Sequence, residues 1–308
     1  MEITIMHAVD SRKTLHLDEY IATLATFESE GFRRAWATQM PTDADTLTVL
    51  AVAGREVPRI EFATGVLPIQ PQHPMKLAQQ ALTVNAITGG RLTLGIGLTH
   101  QVVTEGMWGI SYDRPLRRMS EYLDGLLPLL SGEMADAVGT LTTTRGAMTL
   151  NEVPAPPVYL AALGPQMLGL AGRRTAGTVT WMTGPKTLRD HIVPTLREAA
   201  VSAGRTAGDV RTVAFLPLAV TDDVESSKAA AARQFRMYNS LPSYRAMLDR
   251  EGYDTPTDAA IVGDEKSVTA RIRELADAGV DEYVGIVFDR DDKVRERTRA
   301  LLRELDGR

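Results

Sequence analysis

Eight short, almost unbroken apolar runs alternate with amphipathic helical patterns along this 308-residue chain. The runs are Ile3-Thr4-Ile5-Met6, Ala35-Trp36-Ala37, Ile60 to Val66, Leu92 to Gly97, Val158 to Ala162, Thr178 to Met182, Val213 to Val220 and Tyr283 to Phe288. A strand with one wet face alternates apolar and polar residues; these runs do not, so both of their faces are predicted to be buried. Such strands belong to parallel sheets, whose crossover helices cover them. Helices are predicted between them over 17–31, 45–54, 74–88, 115–130, 164–174, 185–203, 224–237 and 265–278, with a last one carrying Val294, Thr298, Leu301, Leu302 and Leu305. The pattern over 115–130 sets Leu116, Met119, Leu123, Leu126 and Leu130 on one face, at helical spacing. Eight βα units in one chain predict an α/β fold, a closed (β/α)8 TIM barrel forming a single domain over residues 1–308, rather than an open doubly wound sheet. The intervals 131–157 and 238–264 are too long for plain connections and are predicted as insertions after strands 4 and 7. The first is expected to hold a hairpin over 140–150, turning at Arg145-Gly146.

Composition removes several function classes. The chain has no cysteine, which excludes disulfide scaffolds, zinc ribbons, iron–sulfur clusters and cysteine nucleophiles, and fits a reducing cytoplasm. Its 34 Lys and Arg against 39 Asp and Glu give a net charge of −5, the wrong sign for a general nucleic-acid or anionic-membrane surface. The opening MEITIMHAVDSRK lacks the basic start and apolar stretch of a signal peptide, and the apolar runs are too short to span a bilayer.

In a barrel, functional residues follow the strands. Gly95-Ile96-Gly97-Leu98-Thr99-His100 suggests a dinucleotide fingerprint, but His100 stands where a third glycine is needed, and no helix is predicted directly after it. Tight packing and phosphate binding both remain open for the two glycines. Leu163-Gly164-Pro165-Gln166-Met167 starts a helix whose free N–H groups suit an anion; an ordinary Gly-Pro helix start is the alternative. His7, His73 and His100 follow strands 1, 3 and 4. With no His-x-His and no carboxylate after strands 2, 3 and 4, no metal is expected. His73, ahead of Pro74, suits a helix cap, and His100 suits acid–base or hydrogen-bonding work. Gln39-Met40 after strand 2 cannot act as acid or base. Asp289 to Asp292 read as a solvated charged loop.

Several of these segments, taken in order, resemble one family. Gly31-Phe32 with Trp36, Thr64-Gly65-Val66, His73-Pro74, Gly89-Gly90-Arg91-Leu92-Thr93-Leu94-Gly95-Ile96-Gly97, Arg114-Pro115 before Tyr122-Leu123-Asp124, Leu163 to Gly172, and Gly263-Asp264-Glu265 before Ala278-Gly279-Val280-Asp281 are similar to the bacterial luciferase-like monooxygenase superfamily. The likeness covers almost the whole chain. It is strongest to the branch that uses the deazaflavin F420, related to methylenetetrahydromethanopterin reductase and F420-dependent glucose-6-phosphate dehydrogenase.

The resemblance implies a bacterial luciferase-like barrel with F420, or alternatively FMN, at the strand ends. It implies a non-proline cis peptide at Gly65–Val66, ring contacts from Gln39, Leu98, Thr99 and Val103, and phosphate contacts from Leu163, Gly164, Gln166 and Met167. It also implies a cytoplasmic homodimer acting on a small molecule. Relatives that oxidise alcohols or sugars often carry Asp-His where this chain has Gln39-Met40, so their proton handling does not transfer. The function expected is F420-dependent hydride transfer between the deazaflavin C5 and an activated C=C or C=N bond, with reacting atoms held about 3–3.5 Å apart. His100 is the expected proton donor, with Tyr238 or Tyr244 as alternatives. An FMN-dependent monooxygenase fed by a separate reductase and a cofactor-binding protein without catalysis are the other readings.

Overall fold

A computed structural model describes residues 1–8, 16–150 and 152–307 of the chain. Residues 9–15 of the segment read above for a signal peptide therefore lie outside the described residues. In chain order the first elements are β1 (Glu2–Met6), α1 (Leu17–Ser29), β2 (Arg34–Ala37), α2 (Thr46–Glu56), β3 (Glu61–Thr64), β4 (Leu67–Pro68), α3 (Pro74–Ile87), β5 (Leu92–Gly97), α4 (Gln101–Gly106), α5 (Pro115–Leu130), β6 (Ala135–Val138), β7 (Thr143–Gly146) and β8 (Val158–Ala161). Then follow α6 (Pro165–Arg174), β9 (Gly177–Trp181), α7 (Pro185–Thr187), a π turn over Leu188–Ile192, α8 (Val193–Ser202), β10 (Arg211–Val220), α9 (Val224–Phe235), α10 (Pro242–Glu251), β11 (Ile261–Gly263), α11 (Glu265–Asp277), β12 (Glu282–Val287) and α12 (Asp292–Asp306).

These elements form two compact units: Met1–Met6, Glu30–Phe32 and Ala162–Arg308 in the first, His7–Ser29 and Arg33–Ala161 in the second. In the second unit β2, β3, β5 and β8 pair in that order, all parallel, and β4 adds to β5. In the first unit β9, β10, β12 and β1 pair in that order, again all parallel, with β11 on β10. Each predicted apolar run supplies one of these eight principal strands, and the fold is of the (β/α)8 class. Burial explains why the runs lack alternation. All six residues of β5 are buried, as are all of β10 except Arg211.

Local chemistry sets the helix boundaries. Asp45, Asp223, Asp264 and Asp291 each accept a first-turn backbone N–H, as N-caps do, and Pro74, Pro115 and Pro165 each occupy a first helical turn, where a missing N–H costs nothing. Arg91 fastens the loops around β3. Its guanidinium donates to Thr88 O, Val57 O, Ile60 O and Gly54 O, and lies over the Phe62 ring, 5.2 Å from its centroid.

Three details depart from the sequence reading. The third apolar run is broken into β3 and β4 by the Gly65–Val66 peptide, which is cis, as the resemblance implied. A short helix, α4, does open soon after Gly97, with His100 at its N-cap. The hairpin of the first insertion is β6–β7, over residues 135–146 rather than 140–150. Its turn is set by a distant carboxylate. Glu121 accepts from Thr140 N at 3.1 Å, Leu141 N at 2.7 Å and Thr142 N at 3.0 Å, while Arg145 is already in the returning strand. The second insertion holds a 3-10 turn over Arg236–Ser240, α10 and β11. No helix among the described residues is long and apolar enough to cross a membrane.

Candidate functional site

Strand ends in each unit carry the residues singled out in the sequence. In the second unit they converge on the Gly65–Val66 bulge. Gly65 N donates to Ala37 O at 2.8 Å, which ties the bulge to the end of β2. Thr64, fully buried, replaces the rung that the bulge takes out of the ladder. Its hydroxyl donates to Gly95 O at 2.8 Å and accepts from Gly95 N at 2.9 Å. A Cβ at Gly95 would collide with Thr64 O, and one at Gly97 would meet Val66 Cγ2 at 2.8 Å and the Ala161 methyl at 2.9 Å. Tight packing is thus what these two glycines do. They let the bulge lie flat on β5 and leave Val66 half-buried at its end.

Leu98, Thr99 and His100 follow directly and are half-buried, as is Val103 on α4. Thr99 N donates to the Gln70 side-chain Oε1 at 3.4 Å. His100 makes no side-chain capping bond to α4, and burial pulls its imidazole pKa below the ordinary 6.5. It is therefore mostly neutral at pH 7, which fits a hydrogen-bonding group better than a standing acid.

Gln39 is hydrogen-bonded within its own loop. Its Oε1 accepts from Thr46 N at 2.7 Å, and its Nε2 donates to Met40 O at 3.0 Å and Ala44 O at 3.4 Å. These bonds fasten the loop to the start of α2. His73 is the helix cap foreseen for it. Its Nδ1 accepts from Met75 N at 3.2 Å, which requires Nε2 to carry the proton donated to Thr143 O at 2.9 Å. His7 stacks on Tyr20, 4.2 Å between ring centroids, and its Nε2 lies 3.2 Å from Tyr20 O. His7 and His73 have separate partners, and no group of three or more metal-ligating side chains exists among the described residues.

In the first unit, residues 162–164 lead into α6, which starts at Pro165. Gly164 is the extended N-cap of α6, offers no side-chain cap, and a Cβ there would meet nothing within 4 Å. Gly164 and Gln166 are exposed, Leu163 and Met167 half-buried. Sequence reasoning missed a further partner: His191, brought round by the π turn, donates from Nε2 to Leu163 O at 2.9 Å. The π register hides this contact, because helical spacing of 3.6 would point His191 elsewhere. Trp181, at the end of β9, packs edge-on against Phe235 and Tyr238, and Tyr238 against Tyr244, so both candidate tyrosines belong to one aromatic cluster. Burial raises the Tyr238 pKa, against a smaller lowering from Trp181, which makes it a reluctant acid. Met182, next after β9, holds a left-handed φ of 54°, rare for a residue with a side chain.

The second unit holds a backbone bulge on glycines near a buried Gln70 amide N–H that has no partner among the described residues, and the first unit, by itself, holds an open backbone turn at a helix start. The family model of luciferase-like monooxygenases matches residues 1–282. The chain is 27% identical over 284 residues to 5,10-methylenetetrahydromethanopterin reductase of Methanolobus tindarius, covering 83% of this chain and 86% of that protein. It is 26% identical over 305 residues to F420-dependent hydroxymycolic acid dehydrogenase of Mycobacterium tuberculosis, covering 92% of this chain and 82% of that one. Among solved structures, coenzyme F420-dependent tetrahydromethanopterin reductase from Methanopyrus kandleri superposes with a TM-score of 0.82 at 20% identity, over 99% of this chain and 97% of that chain. With the family model spanning most of its length, the chain belongs to the luciferase-like monooxygenase family.

Proposed function

We propose that this protein is an F420-dependent oxidoreductase that transfers hydride to an activated C=C or C=N bond of a small organic molecule. The observation that carries the reading is the close seating of Thr64 and Val66 on Gly95 and Gly97 at the strand ends, in a chain whose relatives include a dehydrogenase named for F420. When bound, the deazaflavin supplies the hydride at its C5. The chain's own residues do the rest. Val66, Leu98, Thr99 and Val103 shape the surface for the ring; Leu163, Gly164, Gln166 and Met167 offer backbone to the phosphate; His100 holds or gives the proton beside the acceptor. Gln39, committed to its loop, leaves proton handling to His100. The family's name favours a second reading, an FMN-dependent monooxygenase supplied by a separate reductase. Fluorescence titration with F420 and with FMN separates them. We expect F420 to bind about tenfold more tightly or better, a difference of about 1.4 kcal/mol. Tighter FMN binding, together with oxygen uptake driven by reduced FMN, would overturn the proposal in favour of the monooxygenase.

A further inference from the structure

Gln70 lies just past the bulge, in the loop after β4, and no motif or relative pointed to it. Its backbone surroundings are firm: Ile69 N donates to Gly97 O at 3.1 Å on one side, and Pro71 restricts the chain on the other. One backbone contact orients the side-chain amide. Thr99 N, a donor, must face Oε1, so Nε2 points away from Thr99. That Nε2 is inaccessible to solvent and has no hydrogen-bond partner among the described residues. Gln72, two residues on, shows the ordinary alternative, with Nε2 donating to Pro68 O at 3.4 Å. Buried polar groups are normally paired, and an amide N–H left without an acceptor weakens the fold that carries it. Its position, between the bulge and the Thr99-His100 segment, puts it among the residues read above as ring-binding.

We propose that Gln70 Nε2 is a hydrogen-bond donor to a carbonyl oxygen or ring nitrogen of the cofactor ring. The proposal rests on the cofactor reading for its ligand. Flavins and deazaflavins share a pyrimidinedione half that carries such acceptors, so this donor fixes how the ring lies without choosing between the two. Gln70 is then a positioning residue for the hydride-transferring face, and Thr99 N holds its amide in place.

The test compares the wild type with Gln70→Glu, which keeps an acceptor for Thr99 N and deletes the donor, and Gln70→Leu, which deletes both. Each is titrated with F420 and with the ribityl-deazaflavin fragment that lacks the phosphate, and folding is followed by circular dichroism and thermal midpoint. Gly164→Val serves as the contrast, because it touches only the proposed phosphate end. We expect both Gln70 variants to raise Kd for F420 and for the fragment by the same factor, about tenfold or more, while Gly164→Val weakens F420 alone. If Gln70→Glu does not fold, Gln70→Leu decides. Folded variants that bind both ligands like the wild type, or that lose F420 but not the fragment, overturn the role of Gln70. A wild-type chain that binds FMN instead of F420 overturns only the choice of cofactor, and the same variants are then compared on FMN and riboflavin. A wild-type chain that binds neither ring removes both readings.

Discussion

His100 is the residue on which the chemistry turns. Hydride addition to a C=C or C=N bond leaves negative charge on the neighbouring atom, and neither Gln39 nor Met40 can neutralise it. His100 lies three residues past the end of β5, and its pKa is lowered by burial from 6.5. The sign follows: the imidazolium, the form able to give a proton, is scarce at pH 7 and grows as pH falls through the lowered value. Wild-type turnover should therefore rise as pH falls from 7.5 and still be rising at pH 6.5, because half-protonation lies below the ordinary 6.5. His100→Ala should lower turnover by about tenfold or more and abolish this acid limb. His100→Gln should recover part of the substrate affinity without the limb. Stopped-flow reoxidation of F420 across that pH range checks this. Near-wild-type rates with an unchanged profile in both variants would move the proton to Tyr238, Tyr244 or solvent. At this scale the sequence was only partly legible. His73 announced its cap through the following proline, but Gln39 did not announce its loop bonds, because its partners Ala44 and Thr46 lie in a turn with no periodic pattern. Gln70 and His191 were missed for related reasons: one is defined by an absent partner, the other by a π turn.

Strand ends show how one element is held against the next. A ladder that stops leaves buried N–H and C=O groups behind, and each needs a partner. Twice a threonine hydroxyl supplies it. Thr64 serves Gly95 on β5, and Thr298 on α12 accepts from Val220 N at 2.9 Å where β10 ends. Thr64→Val keeps the shape and removes both bonds. It should destabilise the protein by about 1–3 kcal/mol, the usual cost of leaving buried groups unmet. Because Gly65 and Val66 follow immediately, it should also raise the cofactor Kd. Thr64→Ser, which restores the hydroxyl, should recover most of both. Denaturant unfolding with a parallel F420 titration measures the two effects. A stability loss that leaves Kd unchanged would show that the bulge is held by Ala37 alone. The elements themselves were legible wherever a periodic apolar pattern met a cap. The misplaced hairpin marks the limit. Arg145-Gly146 resembled a turn locally, yet the turn forms where Glu121, on α5, gathers three backbone N–H groups, and no local pattern carries a contact made across some twenty residues.

For the molecule as a whole, eight unbroken apolar runs were sufficient to give the fold class, since strands buried on both faces have few other architectures open to them. Net charge carries a separate consequence, for how the cofactor arrives. The chain bears −5, and F420 is itself an anion through its phosphodiester and carboxylates. The first turn of α6, where the phosphate is proposed to sit, holds Pro165, Gln166, Met167 and Leu168 and no charged side chain; Arg173 and Arg174 lie at the far end of the helix. Anion capture there depends on backbone N–H groups, which act at contact distance, while the long-range field of the protein repels the ligand. Salt screens that repulsion, with a Debye length of about 10 Å at 0.1 M, and leaves the contact bonds largely intact. The association rate for F420 should therefore increase with ionic strength, by roughly twofold to threefold between about 0.02 and 0.2 M, with little change in the dissociation rate. Stopped-flow fluorescence at several salt concentrations reads both rates. An association rate that instead falls with salt would place the phosphate against a cluster of arginines or lysines, and would take the Gly164 turn out of the binding site.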